Sequence, residues 1–127
     1  MQDRAAQPQV DEAMVEALVR RFYDRVKADR LLGPLFRMAI ADWDGHLKVV
    51  ADFWSRVLLG SDRYRGCVMG AHGGLMMKPA HFDRWLALFK VSAEETLPPA
   101  ALERVLDAAI FVDRRLRAIH ARQPRRA

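Results

Sequence analysis

One cysteine, Cys67, stands in 127 residues, so no internal disulfide can form and a reducing cytoplasm is the expected setting. No apolar run approaches the roughly 20 residues that a membrane span needs. The first ten residues are polar and lack the apolar core of a signal peptide. Internal repeats and low-complexity segments are absent. The short signatures of several chemistries are missing too: no Walker-type phosphate loop, no GxSxG elbow, no HExxH and no CxxC. No two histidines lie three or four residues apart. One helix therefore cannot present a His pair, and a metal site built from His46, His72, His81 and acidic groups would have to be assembled from several segments.

Charge of one sign is scarce over most of the chain. The formal net charge is +5. After Asp113, however, come Arg114, Arg115, Arg117, Arg122, Arg125 and Arg126 with no acid among them. Without those six, the remainder carries 15 basic and 16 acidic side chains. The body is close to neutral and the basic excess belongs to the C-terminal end. Arginines there also suit the negative end of a helix dipole. No aromatic side chain is interleaved with the tail, so no nucleic-acid partner is expected.

What the sequence does contain is helical periodicity. Residues 12–28 place Val15, Val19, Phe22, Tyr23 and Val26 on one side. Gly33-Pro34 then reads as a break. Asp42 is a suitable N-cap for the next helix. That helix carries His46, Val49, Val50, Phe53, Trp54, Val57 and Leu58 at i, i+3, i+4, i+7, i+8, i+11 and i+12, the cleanest amphipathic stripe in the chain. It ends at Gly60. Residues 60–79 are rich in glycine and in large apolar groups at once, which predicts an irregular but packed segment. Pro79 opens a third helix with Phe82, Trp85, Leu86, Phe89 and Ala93 on one face. Pro98-Pro99 ends it and starts a last helix. Leu102, Val105, Leu106, Ala109, Val112, Leu116 and Ile119 form that helix's inner face. The expectation is an all-α domain of four main helices over 12–121. A short N-terminal extension, 1–11, and a basic tail, 122–127, flank it.

An all-α core must satisfy any polar group it buries. Tyr23, His46, Trp85 and His72 each bring a hydrogen-bonding or ligating atom toward the apolar interior. The plain reading of a Tyr or Trp on such a stripe is a core residue with one satisfied hydrogen bond. A single His there is ordinarily a partnered core residue. Trp43 and Trp54 read as packing. Met69, Met76 and Met77 read as gap-fillers, and Cys67 as structural.

Several dispersed runs, taken together, carry more information. Phe22-Tyr23-Asp24-Arg25-Val26 leads to Leu32-Gly33-Pro34-Leu35-Phe36. Then come Trp43-x-x-His46, Asp52-Phe53-Trp54-Ser55, Leu58-Leu59-Gly60, Tyr64-x-Gly66, His72 and His81-Phe82-x-x-Trp85-Leu86-x-Leu88-Phe89. In order and spacing, over about residues 12–120, this chain resembles the group III truncated haemoglobins, bacterial-type globins of the two-over-two class.

The resemblance implies a helical sandwich around haem b, held without covalent attachment since CxxCH is absent. It implies His72 as proximal iron ligand on a pentacoordinate iron. Tyr23, His46 and Trp85 would be the polar distal groups, and Phe36, Val50, Phe53 and Trp54 the apolar contacts to the haem. Gly73-Gly74, directly after His72, departs from the family pattern. His81 is the rival for the iron, but its place just after Pro79 suits a helix cap. A neutral imidazole nitrogen can ligate iron, and distal donors favour a diatomic that carries negative charge. O2, NO or CO are the ligands so implied. The alternatives are haem-dependent peroxidase or NO dioxygenase-like detoxification, fed by a reductase, and a haem-free helical interaction module.

Overall fold

The computed structural model describes residues 10–64 and 77–122. The described residues form five helices: α1 (Glu12–Ala28), α2 (Leu32–Ala39), α3 (Trp43–Leu59), α4 (Pro79–Thr96) and α5 (Pro99–Arg122). No strand occurs among the described residues. None of the described helices is long and apolar enough to cross a membrane.

The helix ends follow local chemistry. The Asp11 carboxylate accepts from Met14 N at 2.9 Å, and the Asp42 carboxylate accepts from Gly45 N at 3.1 Å, so each satisfies an orphan amide of a first turn. Pro79 occupies the start of α4, where its missing N–H is not needed. α3 stops at Gly60, whose φ of 74° lies in the left-handed region that glycine enters without steric penalty.

α2 corrects the reading of Gly33-Pro34 as a simple break. Both residues lie in the first turn of a short helix, where a proline removes no intrahelical bond. Asp29 makes the start possible. Its Oδ2 accepts from Leu31 N at 3.0 Å and Leu32 N at 2.9 Å, while Oδ1 takes Arg84 of α4 at 2.8 Å. Glycine is required at position 33 for space, because a Cβ there would stand 2.8 Å from the Lys27 carbonyl oxygen.

α1 is the central element, packed on α2, α3 and α4, and α4 packs in turn on α5. The predicted inner face of α1 is buried throughout, as are Phe82, Trp85, Phe89 and Ala93 of α4. Val105, Ala109, Val112 and Leu116 of α5 close the other side. At the centre Phe89 is stacked between two indoles. Trp54 lies at 4.8 Å with an interplanar angle of 28°, and Trp85 at 5.6 Å with 11°.

Candidate functional site

The α3 stripe behaves differently from the others. Trp54 and Leu58 are buried, but Val49 is 51% exposed and Val57 37%. His46, Val50 and Phe53 are half-buried. The most regular apolar face in the sequence is thus only partly covered by protein. It forms one wall of a cavity of about 80 Å³. The other walls are Phe22 and Tyr23 from α1, Trp85 from α4, Val112 and Leu116 from α5, and Tyr64 from the chain after α3.

The polar groups of this cavity are held by aromatic contacts. The Tyr23 ring lies 5.1 Å from His46 at 90° and 4.8 Å from Phe22, and Trp85 meets Phe22 edge-on at 5.5 Å. Trp43 buttresses the same corner, 6.1 Å from Tyr23 and 6.2 Å from His46. Burial pushes the Tyr23 phenol well above its ordinary pKa, because an apolar surround penalises the phenolate. Tyr23 therefore stays a neutral O–H group, able to donate or to accept.

Of the residues singled out in the sequence, Tyr23, His46, Val50, Phe53, Trp54 and Trp85 come together on this one cavity. Phe36 does not line it. That ring is buried behind Tyr23, 6.3 Å away, and supports the wall from outside. His72 lies outside the described residues, as do Cys67, Met69, Met76 and residues 123–127 of the basic tail. His81 caps α4: its Nδ1 accepts from Lys78 N at 2.9 Å. Val112 and Leu116 were visible only as core positions in the sequence. Their i, i+4 spacing on α5 marks a shared face, but nothing local says that the face meets a cavity. Among the described residues no cluster of three or more His, Cys, Asp or Glu could hold a metal ion.

A larger groove of about 560 Å³ runs outside, between α1 and α3. Its rim is charged and partly self-neutralised, since Arg63 pairs with Glu12 at 2.7 Å and with Asp52 at 3.1 Å. The small cavity, apolar with few polar groups converging on it, has the character of a ligand site.

Comparison with known proteins bears on this arrangement. A family model described as bacterial-like globin matches residues 10–113. The group 3 truncated hemoglobin ctb of Campylobacter jejuni is 33% identical over 88 residues, 65% of this chain and 69% of that protein. The crystal structure of a group III truncated hemoglobin from Campylobacter jejuni superposes with a TM-score of 0.82 at 25% identity, covering 94% of this chain and 98% of the other. A 2/2 hemoglobin from a Synechococcus species, solved in the cyanomet state with covalently attached heme, gives a TM-score of 0.74 at 23% identity, over 87% and 93% of the two chains. The group II truncated hemoglobin of Bacillus anthracis gives 0.72 at 19%, over 87% and 92%. The last two likenesses speak to the fold alone.

Proposed function

The chain belongs to the bacterial-like globin family, as a truncated globin of group III, and from that premise we propose that it binds haem b and takes O2 or another diatomic ligand in the cavity between α1, α3 and α4. The observation that supports this reading is the half-bare apolar stripe of α3 facing Tyr23, His46 and Trp85 across a small cavity.

The residues present fit such a group. Val49, Val50, Phe53, Val112 and Leu116 offer an apolar surface to a flat macrocycle, and the partly exposed Val49 edge leaves a lip to solvent. The free volume of about 80 Å³ between these described walls is enough for a diatomic ligand. His72 is proposed as the proximal ligand of a pentacoordinate iron. Bound haem would supply an open metal position for the small ligand.

The protein's own part is to donate hydrogen bonds and exclude water. The Tyr23 hydroxyl and the Trp85 indole N–H are fixed donors on stacked or edge-packed rings. Such preorganised donors favour a ligand that gathers negative charge, such as O2, over CO. His46, half-buried at the start of α3, is proposed as a third distal donor. Its partial exposure suits a side chain at the pocket mouth. NO is an alternative ligand of the same pocket, and a cytoplasmic setting with an electron donor fits a ferrous protein.

The test is an absorption spectrum of haem-loaded protein in the ferric, ferrous and ferrous-CO states, beside His72→Ala and His81→Ala. A globin-like Soret band that only His72→Ala disrupts is the expected result. Absence of stoichiometric haem uptake by the wild type would overturn the reading.

A further inference from the structure

Arg63 and Tyr64 are neighbours in the chain with opposite commitments. Arg63 sits among three side chains, Asp52 and Ser55 from the second half of α3 and Glu12 from the start of α1. One Nη meets Glu12 Oε1 at 2.7 Å and Ser55 Oγ at 2.9 Å, and Nε meets Asp52 Oδ1 at 3.1 Å. Ser55 is fully buried and its hydroxyl has one proton to give. That proton goes to Glu12 Oε2 at 2.8 Å, so the Ser61 hydroxyl, 2.8 Å away, donates in return. The clamp is closed: both lone pairs of Ser55 are filled, by Ser61 and by Arg63. Arg63 in turn holds the Glu12 carboxyl below its ordinary pKa.

Tyr64 faces the other way. Its ring lies 5.3 Å from Phe53, edge-on, and forms part of the cavity wall. Consecutive Cα atoms are about 3.8 Å apart across a trans peptide. Fixing Arg63 therefore restricts where the Tyr64 ring can be. Two residues of one helix turn, Asp52 and Phe53, receive the pair: Asp52 takes the arginine and Phe53 the tyrosine.

We propose that Arg63 is a positioning residue, whose clamp by Glu12, Ser55 and Asp52 holds Tyr64 in place as a wall of the ligand cavity. The clamp lies outside the cavity, and its Arg63–Glu12 pair is nearly half exposed, so that pair contributes little to global stability. Its effect is local, on one wall. The part of this proposal that concerns ligand entry rests on the haem reading given above; the part that concerns Tyr64 does not.

Tyr23 and Tyr64 are the only two tyrosines, so full-length protein labelled with 3-fluorotyrosine gives one ¹⁹F resonance for each, assigned by Tyr64→Phe. In Arg63→Met the Tyr64 resonance is expected to move toward the free amino acid while Tyr23 stays in place; Arg63→Lys should retain most of the wild-type shift. In haem-loaded protein the same variant should bind CO about three- to tenfold faster. An unmoved Tyr64 resonance overturns the proposal, and so does equal movement of both tyrosines, which would mean general loosening. If the wild type takes up no haem, the haem reading fails, and the ¹⁹F shifts of the haem-free protein still decide the positioning role. Should Arg63→Met not fold, Glu12→Gln combined with Asp52→Asn weakens the clamp from the acceptor side and is read in the same way.

Discussion

Tyr23→Phe removes one oxygen from the distal corner and nothing else. The ring stays wedged against Phe22 at 4.8 Å and His46 at 5.1 Å, so packing is conserved. Tyr23 is 3% exposed, and water cannot readily take the place of its hydroxyl. A hydrogen bond to a charged acceptor contributes about 1.5–3 kcal/mol. Its loss should speed O2 release from haem-loaded protein about ten- to a hundredfold. CO gathers little charge, so its release should change by less than about threefold. Stopped-flow O2 displacement and CO replacement by NO measure the two rates. Because burial raises the phenol's pKa, the Tyr23 hydroxyl should contribute no titration step of its own to O2 release between about pH 6 and about pH 9, below the ordinary Tyr value of about 10, so the acceleration caused by Tyr23→Phe should hold across that range. Equal acceleration of O2 and CO release would refute the hydrogen-bond argument, since it would mean that the pocket had merely loosened. An unchanged O2 rate would remove Tyr23 from the donor set.

Three further outcomes follow from the packing. Phe89→Ala, at the centre of the indole stack and 1% exposed, should lower stability by about 3–5 kcal/mol, read from the urea midpoint; a loss below about 1 kcal/mol would mean that the two indoles close the gap. Gly33→Ala gains helix propensity of about 1 kcal/mol but drives a Cβ to 2.8 Å from the Lys27 carbonyl, so a net destabilisation of about 1 kcal/mol is expected in the same assay. Glu95 accepts two hydrogen bonds from Arg25, at 2.8 and 2.6 Å, and these hold its pKa below the ordinary value. Its stabilisation is therefore complete above the unfolded value of about 4.3 and is lost as pH falls through the lower folded one. Glu95→Gln should melt below wild type at neutral pH, and the two curves should converge in acid.

Much of this architecture was legible in local patterns. The stripe of α1 is buried where its spacing placed it, and those of α4 and α5 are buried except at Leu86, Leu102, Leu106 and Ile119, which are half-buried; Asp42, Gly60, Pro79 and Pro98-Pro99 marked helix ends by the same chemistry that operates in the structure. α2 was not legible, because Gly33-Pro34 has the composition of a break; what makes it a helix start is Asp29, capping locally while tied to Arg84, 55 residues away. The cavity was half legible. Tyr23, His46, Phe53, Trp54 and Trp85 carried a signal as polar or aromatic groups on apolar stripes, and Val50 by its place on the α3 stripe. Phe36 was named through the family resemblance alone, and it lies one layer behind. The Glu12–Ser55–Arg63 clamp left no trace, since its members are 43 and 51 residues apart and each reads singly as an ordinary surface or helix residue.

The stack of Trp54, Phe89 and Trp85 has an optical consequence. Two of the three tryptophans are built into the cavity wall, within a few ångströms of anything that enters it. Indole emission overlaps the absorption of a porphyrin, and energy transfer over so short a distance is nearly complete. On the proposed haem reading, the unlabelled protein therefore carries its own occupancy gauge: bright without haem, dark with a porphyrin against that wall. Binding can be titrated at low concentration by fluorescence alone, with Trp43 on the half-buried outer corner as the more distant emitter.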